Sequence, residues 1–202
     1  MTTDRESDQL LVERVQAGER QAFDLLVSKY QRRLLRLVAR IVRDPAEAED
    51  VVQETFIKAF RALRHFRGDA AFYTWLYRIG INTAKNYLVT QSRRAPTSTH
   101  TDAEAAEARG EGEGGGLRDI NTPESMLATK QIAETVNAAM EALPVDLRTA
   151  ILLREIEGLS YEEISDIMSC PIGTVRSRIY RAREVIAEKL RPLLDVPVDK
   201  RW

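Results

Sequence analysis

The sequence is poorest in the residues that build metal centres, disulfides and membrane anchors. Cys170 is the single cysteine, so no internal disulfide can form, and the same count argues against a cysteine-based metal site. His65 and His100 are the two histidines, too far apart in sequence to share a helical ligand spacing. The opening MTTDRESDQ is polar and lacks the apolar stretch of a signal peptide. No apolar run approaches the roughly 20 residues that span a bilayer, so the chain is expected to remain in the cytoplasm. Charge of one sign is missing as well. The 30 Lys and Arg nearly cancel the 31 Asp and Glu, so only the placement of charge can speak for or against a nucleic-acid partner.

Alternating strand patterns are also absent, and nearly every periodic stretch carries helical spacing. With 44% hydrophobic and 30% charged residues, the composition suits a helix-rich globular protein. One stretch breaks the periodicity. Residues 95–121, APTSTHTDAEAAEARGEGEGGGLRDIN, hold almost no large apolar side chain, and their acids outnumber Arg109 and Arg118. Such a segment buries too little surface to offset its ordering entropy, so residues 95–122 are expected to form a flexible acidic linker. The reading is all-α: two small helical domains, 8–94 and 123–194, on a tether.

In the first domain the spacing predicts a short helix from about Asp8 and a long one after Gly18. Asp44-Pro45 supplies an N-cap and a first-turn proline for a third helix reaching about Arg64. HFRGDAAF interrupts, and a fourth helix follows over about 72–89. The second domain opens on Thr122-Pro123, with helices over roughly 124–142 and 145–157 separated by Pro144.

The most informative segment is SYEEISDIMSCPIGTVRSRIYRARE. Ser160 and Glu163 form an S-x-x-E capping box, Pro171 stops the short helix it starts, and a second helix begins near Ile172. Two helices across so short a turn make a helix-turn-helix. On a wheel the second helix puts Val175, Ile179, Ala182 and Ile186 on one face. Ser177, Tyr180 and Arg181 fall opposite, flanked by Thr174 and Arg176, as a helix entering a major groove requires. A solvated Arg-rich helix is the plain alternative, but the box, the proline and the separated faces favour the groove. Met168 and Cys170 read as packing.

The fourth helix of the first domain offers a different surface. Leu76, Ile79, Gly80, Thr83 and Tyr87 share an inward face, whereas Trp75, Arg78, Asn82, Lys85 and Asn86 form another stripe. An aromatic ring beside cations and amides is what unstacked bases need, and the loop before it, with Phe66, Arg67, Gly68 and Asp69, can present backbone groups to a flipped base. For Trp75 alone, burial in the core is the better reading. Asp50, Gln53 and Glu54 cluster opposite Val52, Phe56, Ala59, Phe60 and Leu63. They read either as a solvated face or as one that binds a partner.

On the motifs DVVQETFIKAFRAL, FRGDAAFYTWLYRIGINTAKNYL, LPVDLRTAILLREIEGLSYEEI and CPIGTVRSRIYRAR, the chain resembles the extracytoplasmic-function (ECF) sigma factors of the envelope-stress sigma-E type. The resemblance implies a transcription initiation factor without enzymatic activity or cofactor. Its first domain would be the sigma-2 module, with Asp50, Gln53 and Glu54 on the coiled coil of the polymerase β′ subunit. Phe66, Arg67, Gly68, Asp69, Ala70, Trp75, Arg78, Asn82 and Lys85 would then melt and hold the −10 element. The second would be sigma-4, seated on the β flap. There Arg154, Tyr161, Glu162, Thr174, Arg176, Ser177, Tyr180 and Arg181 would read the −35 duplex. Tyr180 departs from the Phe that close relatives often carry, but keeps the ring. The resemblance also implies an anti-sigma factor, often anchored in the inner membrane, and no obligate homo-oligomer. Two rivals remain at this point. One is a helix-turn-helix regulator acting without polymerase. The other is a nucleic-acid-processing enzyme, for which no convincing carboxylate cluster, ligand set or phosphate loop is present.

Overall fold

The computed structural model describes residues 4–94 and 123–194, and every element among them is helical. The tether expected over 95–122 and the Thr122 cap lie outside the described residues. In order come α1 (Asp4–Gln16), α2 (Arg20–Val42), α3 (Pro45–Ala62), a single 3-10 turn (Leu63–His65) and α4 (Phe72–Arg94). The second group is α5 (Pro123–Ala142), α6 (Val145–Glu155), α7 (Tyr161–Met168) and α8 (Ile172–Leu194). α1 starts four residues earlier than its apolar spacing predicts, because polar Asp4 to Ser7 extend it without contributing to the core. α4 likewise runs past Val89 to Arg94.

The first body is built on α2. Its stripe Phe23, Leu26, Tyr30, Leu34, Leu37, Val38 and Ile41 is buried along its whole length, against α3 and α4. The Asp44 carboxylate accepts the Glu47 N–H at 3.0 Å, and Pro45 opens the first turn of α3, as the cap motif requires. Phe60 departs from the expected inward face of α3: it stays 40% exposed while its ring edge meets Phe23 at 5.0 Å. α4 crosses α2 closely at Gly80, where an added Cβ would lie 2.9 Å from a Leu34 methyl. Gly80→Val is therefore expected to lower the unfolding free energy by about 1–3 kcal/mol through overpacking, read from urea denaturation.

In the second body α8 lies against α5 and α6, and α7 closes the end. The Ser160–Glu163 capping box is fully formed, with Glu163 N–H to Ser160 Oγ at 3.1 Å and Ser160 N–H to Glu163 Oε2 at 2.8 Å. Ser169 then adopts the left-handed conformation (φ 50°) and donates its N–H to Ser165 O, which ends α7. The Ser165 hydroxyl fixes the same turn by donating to Cys170 O at 2.6 Å. Ile164, Ile167, Met168, Val175, Ile179 and Ala182 are buried beneath the turn.

The two bodies pack together, α4 against α7 and α2 against α6. Arg148, only 5% exposed, fastens them. Its five N–H groups go to five carbonyls: Met140, Glu141 and Leu143 at the end of α5, and Arg40 and Ile41 at the end of α2.

Candidate nucleic-acid interfaces

The helix-turn-helix presents α8 as its wheel predicts. Val175, Ile179 and Ala182 are buried, whereas Arg176, Ser177, Tyr180 and Arg181 are exposed and Thr174 is half-buried on their flank. Ile186, expected inward, is half-buried. Neither Arg176 nor Arg181 is paired with a carboxylate of the described residues, so both guanidinium groups remain free for an anionic ligand. Tyr161 organises the approach, its ring lying between the Arg154 guanidinium at 4.8 Å and that of Arg176 at 5.7 Å. Arg154 is held in place by donating to Leu159 O at 2.7 Å. Glu162 stands exposed beside them, and Tyr180 donates its hydroxyl to Glu184 at 2.8 Å. Two other arginines of α8 are engaged within the protein. Arg183 pairs with Glu155, and Arg178 reaches Asp146 at 2.6 Å and Cys170 Sγ at 3.4 Å.

The first body brings most of its expected single-strand residues to one place. Phe66, Phe72 and Trp75 form an aromatic cluster, with Trp75 centroids 5.0 Å from Phe66 and 5.8 Å from Phe72. Trp75 is neither fully core nor fully exposed: half-buried, it walls a cavity of about 390 Å³ with Phe66, Arg67, Asp69, Ala70 and Arg78. Gln16 anchors the loop from α1 by donating to Leu63 O and Phe66 O at 2.9 Å each. Gly68 takes φ 77°, a left-handed turn that lets the loop pass within van der Waals reach of Gln9. Asn82 lies exposed further along α4. Lys85 does not lie free: its ammonium is 2.6 Å from the Asp146 carboxylate of the second body. Burial opposes the ionisation of Asp146, but Lys85 and Arg178 outweigh it and hold its pKa below the usual carboxylate value.

On α3, Asp50, Gln53 and Glu54 are all exposed on one stripe, and Glu54 meets Lys58 at 2.8 Å. Ile57, 51% exposed one turn on, continues that stripe with apolar surface. A second apolar patch, a groove of about 410 Å³, opens among Met140, Ile151, Ile156, Ile186 and Leu190. Neither apolar surface was legible as a site in the sequence, since each joins residues from a helix otherwise read as core or solvated.

A helix-turn-helix with an exposed cationic face in the second body, and an aromatic and cationic cleft in the first, are features of a two-module DNA-binding protein. Comparison identifies its class. The family model described as Sigma-70 region 2 matches residues 26–94, and that described as Sigma-70, region 4 matches 130–186. The chain is 57% identical to the RNA polymerase sigma-H factor of Pseudomonas aeruginosa, over 94% of this chain and 97% of that one. It is 55% identical to the ECF RNA polymerase sigma-E factor of Escherichia coli K12, over 93% and 96%. The structure of the sigma factor RpoE with the anti-sigma factor NepR from Bartonella quintana superposes over 84% of this chain and 96% of that one. Its TM-score is 0.65 at 25% identity. The chain belongs to the ECF RNA polymerase sigma factors. Its role is therefore that of a sigma factor in transcription initiation, and the reading as a regulator working without polymerase falls away. Sigma factors are not enzymes, and no described helix is long and apolar enough to cross a membrane.

Proposed function

We propose that the chain joins core RNA polymerase through two separate surfaces and reads the promoter through two others. The observation that carries this is the division of α8, with Arg176, Ser177, Tyr180 and Arg181 outward while Val175, Ile179 and Ala182 are sealed in the core. Those four residues, with Thr174, Arg154, Tyr161 and Glu162, read the −35 duplex from the major groove. Residues Phe66 to Ala70 with Trp75, Arg78, Asn82 and Lys85 receive the unpaired −10 strand. Opening needs no chemistry from this chain, only bases held as they unstack. Asp50, Gln53 and Glu54 meet the β′ coiled coil, Ile57 adding apolar area. The groove at Ile151, Ile156 and Ile186 accepts an apolar helix of the β flap. Polymerase holds both modules in register, so each alone binds DNA weakly and with steep salt dependence. An anti-sigma factor restrains the chain, a partner supported by the complex of the related sigma factor RpoE with the anti-sigma factor NepR; in this proposal that factor is anchored in the inner membrane and holds the chain in the cytoplasm.

The test is transcription from envelope-stress promoters with purified core polymerase. Transcripts are expected only when the protein is added; duplex binding without transcripts would exclude the proposal. Arg176→Ala is expected to cost about tenfold in −35 discrimination, one good base contact being worth ~1–3 kcal/mol, with core binding unchanged. Asp50→Ala is expected to do the reverse. Loss of thermal stability alone in both variants would sink the residue assignments.

A further inference from the structure

The loop from Phe66 to Ala71 is neither helix nor strand, and it stands between two cavities. One is the 390 Å³ cavity walled by Trp75 and Arg78. The other, of about 510 Å³, is lined from α1 by Arg5, Gln9 and Leu10. Arg67 and Ala70 line both, so at those residues the loop is a single layer of chain with open space on either side. At its two ends Phe66 N–H donates to Leu63 O at 3.1 Å, and Ala71 O accepts from Trp75 N–H at 3.1 Å. A layer so thinly packed keeps one shape only if a neighbouring element fixes its backbone.

α1 supplies that support. The Gln16 amide nitrogen carries two hydrogens, and it donates to Leu63 O and to Phe66 O at 2.9 Å each. Those carbonyls bracket the turn from which the Phe66 ring projects, and that ring lies 5.0 Å from Trp75 and 6.3 Å from Phe72. Two turns earlier on the same helix Gln9 backs the loop at Gly68, where an added Cβ would sit 3.4 Å from its Oε1. α1 is itself tied to α2. The Asp8 carboxylate, on a residue only 2% exposed, accepts from Lys29 at 2.6 Å and from the Tyr30 hydroxyl. Gln16 therefore reaches the loop from a fixed helix.

We propose that Gln16 is a positioning residue for strand capture: it sets the Leu63 and Phe66 carbonyls, and through them the Phe66 ring and the path of the loop, before a base arrives. A loop already in its receiving shape has less freedom to lose when the strand binds. Both bonds are partly open to solvent, so water replaces them when they are lost, and the fold does not hang on them. The inference rests on the assignment of this loop to the unpaired strand.

Gln16→Met keeps the length of the side chain and removes its donors without adding charge. Gln16→Glu removes the same donors and adds a negative charge. Each full-length variant is bound to core polymerase and titrated with a fluorescein-labelled single strand carrying the −10 element, either intact or with one abasic site stepped along it. The methionine variant is expected to bind the intact strand about five- to tenfold more weakly, the worth of one or two such hydrogen bonds. At the position where the loop receives its base, the abasic penalty is expected to shrink by the same factor, with the other positions unchanged. The melting temperature of the free chain is expected to move by no more than about 2 °C, and protection of the −35 duplex to persist. Weaker binding in the glutamate variant alone would mean repulsion of phosphates, and overturns the proposal. So does an affinity that falls equally at every position, which would mark a structural role only. An abasic penalty that both variants leave intact overturns the role of Gln16 and spares the loop assignment. If the unaltered complex shows no abasic penalty anywhere, the loop assignment falls, and the proposal with it.

Discussion

Arg148→Ala is expected to lower the stability of the second body by about 3 kcal/mol, the largest structural effect of any single replacement considered for this chain. The guanidinium has no carboxylate partner among the contacts that bury it. It is held by carbonyl oxygens at the C-terminal ends of α5 and α2, where backbone carbonyls lack helical partners and the helix dipole favours a cation. Burial and the nearby Arg43 charge lower its pKa from the usual arginine value, with Glu141 opposing them, but an arginine stays protonated under such conditions. Alanine leaves at least Leu143 O without its donor and opens a void at the α5–α6 corner. Lysine, with three donors on a compact head, cannot span carbonyls set around a planar fork, so Arg148→Lys is expected to restore only part of the loss. Urea unfolding followed by circular dichroism checks the ordering: wild type, then lysine, then alanine. Equal stability of the lysine and wild-type chains would mean that charge alone, and not the five-bond geometry, matters here.

Arg148 also marks where sequence reading stops. In LPVDLRTAILL it sits among apolar residues like any helical arginine. Its burial depends on carbonyls converging from α2 and α5, the former about a hundred residues away in the chain. The same holds for Glu157 and Glu163, which the sequence presents as a turn acid and half of a capping box. Their second roles, toward Arg33, Tyr77 and Tyr73, exist only because two bodies meet. By contrast, the capping box, the Asp44 cap and the two faces of α8 depend on residues within a few turns of one another. Local spacing encodes them, and the structure reproduces them closely. Phe60 lies between these cases: helical period puts it at the core edge of α3, where one side packs on the Phe23 ring and the rest stays in solvent. The candidate surfaces were therefore legible wherever one helix carries them. The masking of Lys85 by Asp146 was not, because it joins α4 to α6.

The largest functional effect is expected from Trp75→Ala, which should reduce transcript output by about a hundredfold. A stacked base is worth ~1–3 kcal/mol, and the upper end of that range corresponds to a hundredfold or more in the population of opened promoter. Trp75 is placed for this because half of it is packed and half walls the cavity: Phe66 and Phe72 fix the ring plane, so little side-chain entropy is lost when a base arrives. The packing creates a competing explanation, since removing the indole also loosens Phe66 and the loop it anchors. Trp75→Phe separates the two, because it keeps a ring against Phe66 and a smaller stacking face. Output within about tenfold of wild type is expected for Phe, that loss matching the lower end of the stacking range. Permanganate reactivity of unpaired thymines should fall in the alanine variant while protection of the −35 duplex by the polymerase complex persists. If −35 protection is lost together with the reactivity, Trp75 supports the fold of the first body and does not itself receive a base.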